Sequence, residues 1–150
     1  MGIVNATPDS FSDAGELPDV AARVARAHEL VAAGAQIIDV GAESASGGRP
    51  PVPADQEAGR VVPVIERIVA ELDVLVSVDT YKPAVAEAAI AAGAQLVNDV
   101  SGLCDPALAE LCAATGAGLV LMHTRVAPRG TLLGDPEVGV ARPAKRQTIL

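Results

Sequence analysis

Ala32-Ala33-Gly34-Ala35-Gln36 runs straight into Ile37-Ile38-Asp39-Val40, and Ala91-Ala92-Gly93-Ala94-Gln95 runs straight into Leu96-Val97. Each stretch reads as a helix end, a glycine able to turn with positive φ, and immediate entry into a strand. A looser version, Ala113-Ala114-Thr115-Gly116-Ala117, precedes Leu119-Val120-Leu121-Met122. One helix-to-strand joint used three times implies successive βα units of one hand, and therefore a parallel α/β sheet.

Two further short apolar runs, Gly2-Ile3-Val4 and Val74-Leu75-Val76-Ser77-Val78, complete a set of five strands. Their nearly continuous apolar character suits strands covered on both faces. Helical segments are expected over about residues 18–33, 54–72, 83–92 and 105–115. In the second, Val61, Ile65, Ile68, Val69 and Leu72 make one apolar stripe. Pro63 lacks a backbone N–H, so a kink or a restart is expected there. In the fourth, Asp105 is placed to cap free amides, Pro106 suits the first turn and Gly116 suits the end.

Four βα units and a fifth strand fit two architectures. A flat doubly wound sheet closes at five strands. A complete (β/α)₈ barrel typically takes about 250 residues, more than the 150 in this chain. Half a barrel leaves strand edges and part of the helix-facing surface open. Periodicity alone leaves the choice open.

Composition narrows the function. The net charge is −8, from 11 basic and 19 acidic residues, which opposes binding to a phosphate backbone. Phe11 and Tyr81 are the only aromatic residues, so bases would find almost no stacking surface. No apolar run approaches the roughly 20 residues of a membrane helix, and no basic-then-apolar leader opens the chain. Two cysteines, Cys104 and Cys112, are too few for a disulfide scaffold and are expected to fill small apolar spaces. With only His28 and His123, a dedicated zinc site is not expected. These features describe an acidic, reduced, cytoplasmic protein of enzyme-like composition.

Polar residues collect just after each strand, where parallel α/β folds build their sites. The first loop, Asn5-Ala6-Thr7-Pro8-Asp9-Ser10-Phe11-Ser12-Asp13, carries short oxygen-bearing side chains suited to a hard cation or a phosphate. Taken alone, the string reads first as a turn-rich surface loop. The second, Glu43-Ser44-Ala45-Ser46-Gly47-Gly48-Arg49-Pro50, offers backbone amides and Arg49 to an anion, or serves as a flexible connection. Asp79 ends the third strand, and Asn98 with Asp99 ends the fourth. A carboxylate at the end of an apolar strand needs partners, either structural ones or the N–H groups of a ligand such as an aminopyrimidine edge. His123 lies on the same rim. His28 belongs to the outer helical layer near Val20, Val24 and Val31, in a structural role. Tyr81 reads as a lid contact or an exposed residue.

Taken in order, these segments resemble the dihydropteroate synthases of folate biosynthesis, within the pterin-binding (β/α)₈ barrel family. The residues that carry the resemblance are Met1-Gly-Ile-Val-Asn-Ala-Thr-Pro-Asp-Ser-Phe-Ser-Asp13, Ile38-Asp-Val-Gly-Ala-Glu-Ser44, Val76-Ser-Val-Asp-Thr80, Val97-Asn-Asp-Val-Ser-Gly102 and Val120-Leu-Met-His123. Five motifs in one order are far more specific than any one of them. The resemblance covers roughly residues 1–125 and implies an incomplete parallel barrel of TIM type.

It also implies a transferase that joins p-aminobenzoate to 6-hydroxymethyl-7,8-dihydropterin diphosphate and releases diphosphate. By resemblance, Asn5 binds the Mg²⁺ that holds the diphosphate, and Asp79 and Asn98 grip the pterin edge. Phe11 lies near the aminobenzoate, and Ser44, Arg49 and Met122 complete the substrate-binding set. The family's second loop usually reads Glu-Ser-Thr-Arg-Pro-Gly; here Ala45 and Ser46 replace the hydroxyl and the arginine, with Arg49-Pro50 three residues later. The family's later strands supply a further aspartate, a lysine, an arginine and a histidine that have no counterpart here. The expected organisation is therefore a half-barrel over residues 1–138 and an irregular basic tail over 139–150, truncated or out of frame, with little or no turnover. Two other readings share the scaffold: a methyltetrahydrofolate-dependent methyltransferase domain, and a non-catalytic pterin binder. Pairing of open edges would make the latter a homodimer.

Overall fold

The computed structural model describes residues 1–7, 20–43 and 50–124, together with the backbone of 147–149. The elements are β1 (Gly2–Asn5), α1 (Val20–Ala32), β2 (Ile37–Gly41), α2 (Ala54–Glu71), β3 (Leu75–Asp79), α3 (Pro83–Ala91), β4 (Leu96–Asp99), α4 (Ala107–Thr115), β5 (Gly118–Met122) and β6 (Gln147–Ile149). The repeated joint behaves as its sequence demands: Gly34, Gly93 and Gly116 have φ of 98°, 106° and 77°. There a side chain would be strained, and the glycine lets the chain leave a helix and enter a strand within three residues.

The strand order is β1-β2-β3-β4-β5-β6, and the first five strands are parallel. This order decides between the two architectures. A doubly wound sheet returns to its middle and reverses direction. Here each right-handed crossover steps the same way, which leaves all helices on one face. Accordingly α1 packs on α2, α2 on α3 and α3 on α4. The chain is the wall of an incomplete TIM-type barrel.

Its core lies between sheet and helices. Val4, Ile38, Val40, Val76, Val78 and Val97 meet Val61, Val64, Ile65, Ile68, Val85, Ala86 and Leu108, all buried. That packing explains α2, which runs unbroken from Ala54 to Glu71 across Pro63, where a restart was one expectation. An interior proline costs a helix about 3 kcal/mol. Val61, Val64, Ile65 and Ile68 are each buried and return about 1.5–3 kcal/mol, which outweighs the proline, whereas Val69 of the expected stripe is exposed.

Three other details differ from the sequence reading. The fourth helix begins at Ala107, whose N–H is held by Asp105 Oδ1 at 3.0 Å. Cys104 is exposed and fills no apolar space, whereas Cys112 is buried. Within the tail expected to be irregular, Gln147–Ile149 pairs antiparallel with β5, Ile149 opposite Val120. The β-branched pair Thr148-Ile149 suits a strand laid on an open edge. Among the described residues no helix is long and apolar enough to cross a membrane.

Candidate functional site

Side chains two apart on a strand share a face, and register carries that face across a parallel sheet. Asn5 lies opposite Gly41, Gly41 opposite Asp79, Asp79 opposite Asn98, and Asn98 opposite Val120. Three residues singled out in the sequence, Asn5, Asp79 and Asn98, thus stand in one transverse row at the carboxyl end of the sheet. The row is on the face away from the helices. Met122, half-buried, lies two residues beyond Val120 on the same face. One step below, Asp39 lies opposite Ser77, so a second polar layer floors the first.

Gly41 makes room for the row. A Cβ there would lie 3.1 Å from Asp79 Cβ and 3.3 Å from Asp79 Oδ2, so a side chain would press on the carboxylate. No hydrogen bond reaches the Asp79 carboxylate from the described residues. Burial, reinforced by the negative charges of Asp39, Glu57, Asp99 and Glu43, pushes its pKa up to about 7. Asp99 shows the opposite solution. Its side chain points to the helix face, accepts the N–H groups of Ser101 at 2.7 Å and Leu103 at 2.6 Å, and serves the turn.

Asp39 was not singled out in the sequence, and it is central. Asn98 Nδ2 donates to Asp39 Oδ2 at 2.9 Å, with both residues buried. Burial pushes the Asp39 carboxyl up, against the pull of the nearby Ser77 hydroxyl and of the Asn98 amide. The Ser77 hydroxyl faces the same carboxylate but reaches hydrogen-bond geometry with no described group. Asp39 Oδ1, Ser77 Oγ and Asn98 Oδ1 are all buried and unpaired. The signal available in the sequence was spacing: Asp39 sits two residues before Gly41, as Ser77 sits two before Asp79.

A second polar cluster anchors the loops. Lys82 Nζ contacts Glu43 Oε2 and Glu57 Oε2 and donates to the Val52 carbonyl at 2.7 Å. Thr80 Oγ1 donates to Glu57 Oε1 at 2.7 Å, and Tyr81 Oη donates to Glu43 Oε1 at 3.3 Å. The Lys82 ammonium also lies 4.9 Å from the Tyr81 ring centre. Burial pulls the Lys82 pKa down, but the Glu43 and Glu57 carboxylates outweigh it and hold it above the ordinary lysine value. Lys82 therefore ties together both ends of the second loop, at Glu43 and Val52. Tyr81 is half-buried and tied to Glu43, where the second loop begins. Glu57 was not singled out in the sequence, where it sits four residues ahead of Val61 on the apolar stripe of α2. The base of the first loop is held similarly, by Arg23 Nη2 donating to the Thr7 carbonyl at 2.8 Å.

Phe11, Ser44 and Arg49 lie outside the described residues, as do Ala45 and Ser46. His123 is exposed on the rim. His28 lies at the surface 3.1 Å from Glu71, a structural pairing. Among the described residues no group of three His, Cys, Asp or Glu side chains is arranged to hold a metal ion.

The sequence profile of the pterin binding enzyme family matches residues 1–142. The chain belongs to that family. Its relatives include the Bacillus subtilis dihydropteroate synthase, 48% identical over 83% of this chain and 44% of its own. Two solved structures of the Xanthomonas albilineans dihydropteroate synthase match as well. The one with 4-aminobenzoic acid is 48% identical, has a TM-score of 0.75, and is matched over 83% of this chain and 45% of its own. The one with 7,8-dihydropteroate is 46% identical, has a TM-score of 0.70, and is matched over 82% and 44%. The chain spans less than half the length of these relatives. In this member of the family, Asp79, Asn98 and Asn5 come from three different strands, and only the register of the sheet brings them together.

Proposed function

We propose that this chain forms the pterin cradle of a dihydropteroate synthase, which condenses p-aminobenzoate with 6-hydroxymethyl-7,8-dihydropterin diphosphate. The observation that carries the reading is the row Asn5–Gly41–Asp79–Asn98 with its unpaired acceptors. The ionised Asp79 carboxylate and Asn98 Oδ1 accept adjacent N–H groups of an aminopyrimidine edge, and Gly41 leaves the space for it. Buried acceptors without partners discriminate against an edge lacking those donors. Met122 offers an apolar contact above the row, and Phe11, Ser44 and Arg49 are assigned to the remaining substrate contacts on the strength of the family resemblance.

The reaction forms a bond between the aromatic amine nitrogen and the pterin methylene carbon while the bond to diphosphate oxygen breaks; the amine proton passes to solvent. Asn5, exposed at the end of the row, supplies one neutral oxygen, which fits a Mg²⁺ ion that keeps most of its ligands from water and phosphate. When bound, that ion would neutralise charge on the departing diphosphate. The Lys82 cluster and Arg23 hold the bases of the two loops, at Glu43, Val52 and Thr7. Cytoplasmic location and a homodimer belong to the same reading. Ile3 and Leu75, 62% and 48% exposed on the open face of the sheet, support self-association, which sedimentation measures.

Calorimetry with a dihydropterin diphosphate tests the cradle. Binding is expected to weaken at least tenfold in Asp79→Asn, and unchanged affinity in Asp79→Asn and Asn98→Leu together would overturn the reading. Because Asp79 binds as the carboxylate, affinity is expected to rise with pH until about 7 and then level off.

A further inference from the structure

We propose that Asp39 is a positioning residue, whose carboxylate sets the Asn98 amide so that Oδ1, and not the NH₂ group, leads toward the ligand. The inference rests on the pterin-cradle reading and extends it to a residue that never touches the substrate.

Asn98 Nδ2 lies 2.9 Å from Asp39 Oδ2. An ionised carboxylate only accepts hydrogen bonds, so the amide must turn its NH₂ toward Asp39. The reverse orientation would set oxygen against oxygen at the same distance. Nothing else described decides the orientation, because Asn98 Oδ1 has no partner. Asp39 is itself held, since it is 4% exposed, lies mid-strand in β2 and faces Ser77 across the register. Its Oδ1 and the Ser77 hydroxyl are unpaired in the same buried layer. That layer therefore acts as a polar floor, whose charge decides whether the row above it reads donors or acceptors.

Asp39→Asn keeps the shape and removes the rule, because a neutral amide offers either N–H or oxygen to Asn98. The test compares calorimetric affinities for a pterin and for two analogues, one without the exocyclic amine and one methylated at the ring N–H. In the starting protein at least one analogue is expected to bind tenfold or more weaker than the pterin. In Asp39→Asn that ratio is expected to fall below threefold. A purely structural role would weaken all three ligands together and leave both ratios unchanged, which would overturn the proposal.

A second measurement needs no ligand. The Asn98 side-chain amide, assigned in ¹⁵N NMR by its loss in Asn98→Asp, is expected to exchange slowly with solvent in the starting protein and at least tenfold faster in Asp39→Asn. Rapid exchange in the starting protein overturns the proposal even if the variant does not fold. Slow Asn98 exchange in a protein that binds no pterin would sink the cradle reading and leave the Asp39 contact intact.

Discussion

The Lys82 cluster and the Asp79 row lie three residues apart along the chain, at the same end of the sheet, and they treat buried charge in opposite ways. Around Lys82, two carboxylates and a backbone carbonyl converge on one ammonium, a hydroxyl and a phenol donate to the same two carboxylates, and each group has a partner. In the row and its floor, Asp79 has no hydrogen bond from the described residues, and Asp39, Ser77 and Asn98 each leave an atom unpaired. A buried polar group without a partner costs about 1–3 kcal/mol. A region that satisfies its charges holds the chain together. A region that leaves several unsatisfied on one face, beside a glycine that clears the space, is shaped for something outside the chain.

The contrast predicts substitutions of opposite sign. Lys82→Met leaves two carboxylates facing each other without a cation, and loss of one partner of a buried pair typically costs about 3–5 kcal/mol. Urea unfolding is expected to show a loss of that size, and a loss below about 1 kcal/mol would mean that the cluster does not brace the fold.

Asp79→Asn should stabilise the ligand-free chain. The carboxyl is raised from 3.8 to about 7, so between these values the folded state holds more protons than the unfolded state, and stability falls as pH rises. Below the lower value both states are protonated and nothing is lost; above the upper value the penalty is complete. Thermal melts at pH 8 should show Asp79→Asn gaining up to about 4 kcal/mol, with little gain at pH 4. The same change removes the charged acceptor of the proposed cradle, so stability and pterin affinity are expected to move apart.

Two smaller effects sharpen the comparison. Thr80→Val removes the hydroxyl that Glu57 Oε1 accepts and should cost about 1 kcal/mol in chemical denaturation. Gly41→Ala crowds Asp79 without touching the Lys82 cluster, so its effect should appear as weaker pterin binding, about threefold to tenfold by calorimetry, with an unfolding midpoint nearly unchanged.

Much of this was legible residue by residue. The Ala-Ala-Gly-Ala-Gln joints set the βα repetition, because a helix end with a glycine turn is a local event. Asp79 and Asn98 stood out because each is a polar residue where an apolar strand stops. Asp39 did not, because an acid inside a strand looks the same whether its partner is a structural amide or nothing. Glu57 was hidden in a helix stripe for the same reason. Its partner Lys82 lies 25 residues further on, and no periodicity connects them.

Local pattern thus determined the parallel α/β class, the five strands and the end of the sheet where chemistry collects, since propensity, turn geometry and apolar period act over a few residues. Tertiary structure alone decided the sequential strand order, the survival of α2 across Pro63 and the pairing of Asp39 with Asn98. Each of these depends on which atoms meet across strands and helices dozens of residues apart. The same register that buries the valines of β2 and β3 against the helices turns Asp39, Gly41, Ser77 and Asp79 to the other face, and so makes the polar row and its floor.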